Sequence, residues 1–183
     1  MAVKTLKPTT PGRRGMTSQD FSKVTTKKPL KSLLVVKRRT NGRNNQGRIT
    51  VRHRGGGAKR FYRLVNFKQL DFAKATIEAI EYDPNRSANI ARIKDEAGKY
   101  HYILASGSMK VDQVITVGEK AAIEEGNRLA LKDIPTGSFI YAIELQPGRG
   151  AQMVRSAGVK AKLTAKEGEY AQVKLRSGEV RMV

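Results

Sequence analysis

Few residues of this chain have the types and spacing for covalent chemistry, whereas many suit the holding of phosphate. The stretch Gly55-Gly56-Gly57-Ala58-Lys59-Arg60 faintly resembles a phosphate-cradling loop. It fails as a P-loop because the spacing is wrong and Arg60 stands where Ser or Thr is needed. Triple glycine instead lets backbone N–H groups come close to phosphates, with Arg52, Arg54, Lys59 and Arg60 as flanking charge. The alternative is a plain flexible hinge. The two histidines, His53 and His101, are far apart, and the chain has no Cys, so no metal site, thiolate or disulfide is expected. His53 lies in a basic run and is expected to meet a phosphate or a base. His101 alternates with Tyr100 and Tyr102 and reads as structural. No nucleophile elbow occurs. The acid pairs Asp95-Glu96 and Glu124-Glu125 sit in turn contexts and read as solvated. No catalytic residue, cofactor or enzyme activity is therefore expected.

Charge then orders the chain. Its 183 residues include 36 Lys or Arg and 16 Asp or Glu, a formal net charge of +20. Self-repulsion of that size is relieved by a polyanion. Residues 1–63 hold 18 of the bases and one acid, Asp20, while residues 64–183 hold 18 bases and 15 acids. The first third also carries Pro8, Pro11, Pro29 and the Gly-rich stretch from Gly42 to Gly57, with few core formers beyond Leu33-Leu34-Val35-Val36. Such a segment cannot bury enough apolar area to offset its ordering entropy. Residues 1–58 are expected to be a basic extension that orders on its partner, the alternative being a solvated tail. No run of apolar residues is long enough to span a bilayer, and MAVKTLKPTTPGRRG lacks the apolar core of a secretory signal. A soluble, intracellular chain with no membrane partner and no homo-oligomer is expected.

From about residue 59 the pattern becomes that of short strands. Candidates are Phe61–Phe67, Lys74–Tyr82, Asn89–Lys94, Lys99–Leu104, Ser138–Leu145, Lys160–Ala165, Tyr170–Arg176 and Glu179–Val183. Turn signals separate them at Asp83-Pro84-Asn85, Glu96-Ala97-Gly98, Pro147-Gly148, Glu167-Gly168 and Ser177-Gly178. Only Gln113–Glu125 and its flanks leave room for a helical turn. The fold expected is mainly β, with two small barrels over 59–125 and 126–183. The strand aromatics Phe61, Tyr62, Tyr82, Tyr100 and Tyr102 either fill cores or stack on bases.

Ser177-Gly178 reads as a two-residue hairpin loop that pairs Leu175 with Val180, Lys174 with Arg181 and Val173 with Met182. An odd-length loop around Glu167–Glu169 would place Ala161, Leu163 and Ala165 on the apolar face with Ala171, Val173 and Leu175. The opposite face would collect Lys160, Lys162, Lys166, Lys174, Arg176 and Arg181, with one acid, Glu179. Such a face either meets an external anion or is solvated with its side chains splayed apart.

Longer motifs are more specific. Gly42-Arg43-Asn44-Asn45-Gln46-Gly47-Arg48-Ile49-Thr50, then Arg52-His53-Arg54-Gly55-Gly56-Gly57, resembles the large-subunit ribosomal protein two family in its bacterial form. So do Glu81-Tyr82-Asp83-Pro84-Asn85-Arg86-Ser87-Ala88-Asn89-Ile90-Ala91, Pro147-Gly148-Arg149-Gly150, Val154-Arg155-Ser156-Ala157-Gly158 and Leu175-Arg176-Ser177-Gly178-Glu179-Val180-Arg181. The resemblance covers nearly the whole sequence. It implies a basic N-terminal extension, an OB-fold barrel and an SH3-like barrel. It also implies a further C-terminal segment, linked to the peptidyl transferase region, that the sequence ending at Val183 lacks. Family members usually have His after the three glycines, where this chain has Ala58.

The function expected is structural: binding of large-subunit (23S-type) rRNA in the ribosome, and the resemblance implies roles in subunit assembly, in joining the small subunit and in support of tRNA sites. Neighbouring ribosomal proteins are the other partners. Expected RNA-binding residues are Arg43, Asn44, Asn45, Arg48, Arg52, His53, Arg54, Gly55, Gly56, Gly57, Lys59, Arg60, Arg86, Ser87, Asn89, Arg149, Arg155, Lys174, Arg176 and Arg181. Arg86 and Arg155 stand out, each leading into a turn of small residues that lets RNA approach. Asp83 is the obvious local partner for Arg86 should that arginine serve the turn instead. The rival reading is a non-ribosomal nucleic-acid factor with similar modules.

Overall fold

The computed structural model describes residues 3–118 and 121–183. Its strands are β1 (Val3–Thr5), β2 (Thr17–Gln19), β3 (Leu34–Val36), β4 (Phe61–Arg63), β5 (Lys74–Glu81), β6 (Ile90–Asp95), β7 (Tyr100–Leu104), β8 (Val114–Thr116), β9 (Phe139–Ile140), β10 (Ala161–Glu167), β11 (Tyr170–Lys174) and β12 (Val180–Met182). Two four-stranded antiparallel sheets dominate, in the orders β7-β6-β5-β8 and β12-β11-β10-β9, beside the pairs β1-β2 and β3-β4. The chain is mainly β, and the two small sheets agree with an OB-fold and an SH3-like module. Helix is confined to single 3-10 turns at Pro11–Arg13, Lys31–Leu33 and Leu131–Asp133 among the described residues. The stretch expected to hold a helical turn instead begins with β8, because Val114 and Ile115 add an edge to β5 and Ile115 seals the core. Residues 119 and 120 of that stretch lie outside the described residues.

Each sheet owns a separate core. Alternation along β5 turns Ala75 and Ile77 inward while Lys74, Thr76 and Glu78 face water. These pack with Phe72, Ala91, Ile93, Ile103, Met109 and Ile115. A register shift between Ile77 and Ala79 then changes the parity, so that Ile80 and Glu81 are also buried. The second core gathers Ile140, Ile143, Ala161, Leu163, Ala171 and Val173.

The last hairpins differ from the expected registers in an instructive way. The loop after β10 has two residues, Gly168 and Glu169, and a bulge between Leu163 and Ala165 supplies the missing shift. Leu163 therefore faces Val173 as expected, but Ala165 pairs with Gln172, and Lys166 with Ala171. The β11–β12 loop has three residues, closed by Leu175 N–H donating to Glu179 O at 2.8 Å and Gly178 N–H to Leu175 O at 3.0 Å. Gly178, at φ 93, supplies the left-handed position that a three-residue loop needs. The one-residue slip pairs Lys174 with Val180, and Val173 with Arg181. It leaves Val180 and Met182 exposed and removes Arg181 from the face of Lys174.

Part of the basic first third packs against the first sheet. Thr25 N–H donates to Ile80 O at 2.9 Å, and β3 pairs with β4. Leu30 N–H donates to the Tyr102 hydroxyl at 2.9 Å, which donates in turn to Glu81 Oε2 at 2.8 Å. Arg92 closes this chain by donating from Nη1 to Glu81 Oε1 at 2.9 Å and from Nε to Glu78 at 2.7 Å. Burial pushes the Glu81 carboxyl up from its ordinary value, partly offset by the Tyr102 hydrogen bond and Arg92. Burial also pushes the Tyr102 hydroxyl up to about 12. Residues 37–60, by contrast, are almost entirely exposed.

Candidate nucleic-acid interface

The two Arg-Ser-Ala turns, distant in sequence, meet in space. Ala157 N–H donates to Ser87 Oγ at 3.2 Å. The guanidinium carbons of Arg155 and Arg86 lie 5.0 and 5.5 Å from the centroid of one ring, Phe67. A cation over an aromatic face is attracted by the ring quadrupole, so Phe67 positions both groups. Phe67 is held in turn by its backbone: Ala151 N–H donates to Phe67 O at 2.9 Å. Gly150, at φ 85, lets the chains approach, since a Cβ there would stand 3.2 Å from Phe67 C and O. The Pro147–Gly150 loop is clamped by Glu144, which accepts from Gly148 N–H at 2.8 Å, from Gly150 N–H at 3.1 Å and from Arg128. Arg149 projects from this loop, exposed.

Arg86 is fixed more firmly than Arg155. Its Nε donates to Asp83 Oδ2 at 2.6 Å, and Asp83 is fully buried. Asp83 also accepts from Asn85 N–H at 2.8 Å and Asn85 Nδ2 at 3.2 Å, so the Asp-Pro-Asn-Arg turn is built around one carboxylate. Arg60 Nη1 donates to Pro84 O at 2.9 Å, which brings the end of the Gly-rich stretch onto the same turn. Asn89 is taken up internally, accepting from Gln19 Nε2 at 3.1 Å. Arg155 has a looser tether, a 3.5 Å hydrogen bond to Ala151 O. Val154, immediately before it, sits at φ 56, a left-handed conformation unusual for a β-branched residue. Its carbonyl accepts from Ala142 N–H at 3.0 Å, which holds the strained turn in place.

The stretch 41–51 closes on itself. Thr50 and Val51 N–H both donate to Gly42 O, at 2.9 and 3.1 Å. Asn44 Oδ1 accepts from Gln46 and Arg48 N–H at 3.0 Å each, while Arg43 Nη1 donates to Gly47 O at 2.9 Å. Gly42 is required: at φ 70, a Cβ would stand 2.3 Å from Val51 O. Asn45, Arg48, Arg52, His53, Arg54 and Lys59 all point into open surroundings as exposed residues. Gly55, Gly56 and Gly57 are exposed too, with Arg39 Nη1 donating to Gly56 O at 2.6 Å. Lys174 and Arg176 border a shallow groove on the second sheet, and Arg181 pairs with Glu179 at 3.0 Å away from it. His101, read as structural, is buried at 3.2 Å from the Asp95 carboxylate, so Asp95 is engaged rather than solvated.

Sequence reasoning missed Phe67 as the organiser of the two arginines. The only signal was its place at the end of a strand candidate, just before Lys68, which does not separate it from a core aromatic.

Two small antiparallel sheets with separate apolar cores, two guanidinium groups over one ring at their junction and a long exposed Gly- and Arg-rich loop define a basic, mainly β protein. Residues 30–117 match the family model described as Ribosomal Proteins L2, RNA binding N-terminal domain, and residues 124–183 match Ribosomal Proteins L2, C-terminal domain. The chain belongs to the ribosomal protein L2 family. It is a structural, RNA-binding component of a ribonucleoprotein rather than an enzyme, and its partners are ribosomal RNA and other ribosomal proteins.

Proposed function

We propose that this chain binds the 23S-type rRNA of the large subunit and supports subunit assembly, association with the small subunit and the tRNA-binding, peptidyl transferase region. It works in the ribosome of the cytoplasm or of an organelle. The observation that carries the reading is the convergence of Arg86 and Arg155 on Phe67, with Ser87 and Ala157 bonded between the turns. A guanidinium held by its Nε or by a ring keeps its remaining N–H groups aimed outward and can grip a phosphate bidentately. The small residues beside each arginine let the RNA backbone come close.

The division of labour follows the charge. Residues 1–58 form a basic arm whose segment 37–58 threads between RNA helices through Arg43, Asn44, Asn45, Arg48, Arg52, His53, Arg54 and Gly55–Gly57. Residues 59–125 and 126–183 are the two β modules, and Lys59, Arg60, Arg86, Arg149 and Arg155 face RNA at or near their junction. Counterion release supplies most of the affinity, and fixed groups set the register. Co-sedimentation through a high-salt sucrose gradient tests this. The chain is expected to travel with large subunits. Release to the top of the gradient, with retained affinity for unrelated RNA, would instead support a non-ribosomal factor.

A further inference from the structure

The outer face of the second sheet carries a cross-strand row that the junction does not use. Phe139 pairs with Lys162, Lys162 with Lys174, and Lys174 with Val180, so four strands contribute one residue each to a single line. Like charges directly opposite each other destabilise a sheet. Here Lys162 and Lys174 face each other with Lys160 and Arg176 beside them, all lining one groove that no Asp or Glu among the described residues lines. Phe139 is 62% exposed, on a strand whose next residue, Ile140, is buried in the core. The Lys160 ammonium stands 3.8 Å from its ring centroid, which places cationic charge on one face of the ring.

We propose that this groove takes one unpaired nucleotide of a single-stranded or looped RNA segment, its base stacked on Phe139 and its phosphate between Lys162 and Lys174. Three features select that occupant. An exposed aromatic gives any base a π-face to stack on, and flanking cations track the backbone. A base inside a duplex is already stacked on its neighbours, so duplex RNA gains nothing from the ring. An acidic peptide would satisfy the lysines but leave Phe139 without a stacking partner. The inference rests on the reading of the chain as an RNA-binding protein, yet it concerns a face separate from the Arg86–Arg155 junction.

The chain has no Trp, so Phe139→Trp creates a single indole reporter at the groove. In the full chain, a single-stranded oligouridylate is expected to quench its emission saturably, and a duplex of equal length to quench it far less. Phe139→Leu should weaken oligouridylate binding by about 5- to 150-fold, the range for one lost base–aromatic stack. Lys162→Gln with Lys174→Gln should weaken it further, while all variants melt like the parent because these side chains are exposed. Three results would overturn the proposal: unchanged emission while oligouridylate binds, equal quenching by duplex, or stronger quenching by polyglutamate, which would mark a site for an acidic protein. The large-subunit gradient separates the two readings. Normal co-sedimentation of the Phe139→Trp chain with an unresponsive indole removes the groove alone, whereas failure to co-sediment with the quenching intact removes the ribosomal reading alone.

Discussion

Replacing Arg86 and Arg155 with Lys separates RNA recognition from folding, because the structure gives the two arginines unequal internal duties. Arg155 contributes to the fold a 3.5 Å hydrogen bond and a place over Phe67 at 5.0 Å. An exposed cation–π contact is worth about 0.5–1 kcal/mol, and Lys retains part of it. Arg155→Lys should therefore shift stability by no more than about 0.5 kcal/mol. Arg86 instead donates at 2.6 Å to the fully buried Asp83 carboxylate. A charged hydrogen bond of this kind contributes about 1.5–3 kcal/mol. Asn85 still donates twice to Asp83, which keeps the loss near the lower end. For a chain of this length, that is a fall in Tm of about 3–6 °C. RNA affinity should drop in both variants by about 5- to 150-fold, since Lys cannot make a bidentate phosphate contact.

Filter binding to large-subunit rRNA at one fixed salt concentration, together with thermal melts followed by circular dichroism, reads both quantities. Asp83→Asn added to Arg86→Lys removes the buried charge that Arg86 neutralises. That double variant should recover stability without recovering affinity. Recovery of both would make Arg86 a structural residue only, and an Arg155→Lys chain that binds RNA like wild type would remove Arg155 from the interface.

Other expectations follow from the same geometry. The logarithm of RNA affinity should fall with the logarithm of salt concentration by several units, at about 0.7–0.9 per neutralised phosphate, and a measured slope near one would mean that most of the charge is idle. Gly42→Ala should cost about 1–2 kcal/mol in backbone strain alone, before its clash with Val51 O. Because the 41–51 loop is exposed, hydrogen exchange of its amides and RNA affinity should report this change, with Tm nearly constant. Burial raises the hydroxyls of both Tyr102 and Tyr141 to about 12, so two of the six tyrosines should titrate late in an ultraviolet absorbance titration. The folded chain holds those protons more tightly than the unfolded chain, whose tyrosines ionise near pH 10, so stability should fall as pH rises from about 10 to about 12. Tyr102→Phe and Tyr141→Phe should remove most of that fall.

The strands that the sequence made legible are those with a complete local signal. Lys74–Glu78 and Ala161–Leu163 alternate cleanly, and Asp95–Lys99 carries its own turn chemistry, with Lys99 N–H donating to Asp95 Oδ1 at 2.7 Å. Short β8 carried no such signal, and only its pairing along β5 makes it a strand. The Arg-rich, Gly-rich loops were legible as exposed, non-core segments because charge density and glycine survive any folding of the chain. Arg86 and Arg155 were readable as special from the small residues after them.

What tertiary structure alone decided was which residues meet. Phe67 between two arginines, Ser87 bonded to Ala157 and the burial of Asp83 all join segments far apart in sequence, and no periodicity encodes such distances. Register was likewise decided in three dimensions. The sequence offers Ser177-Gly178 as a turn, yet a two- and a three-residue loop fit those residues equally well locally. The side-chain period of a strand is two, so a single-residue choice moves Arg181, Val180 and Met182 to opposite faces. The observed register sets Val183 opposite Ala171, where it packs on the second core, a contact between strands that neither carries alone.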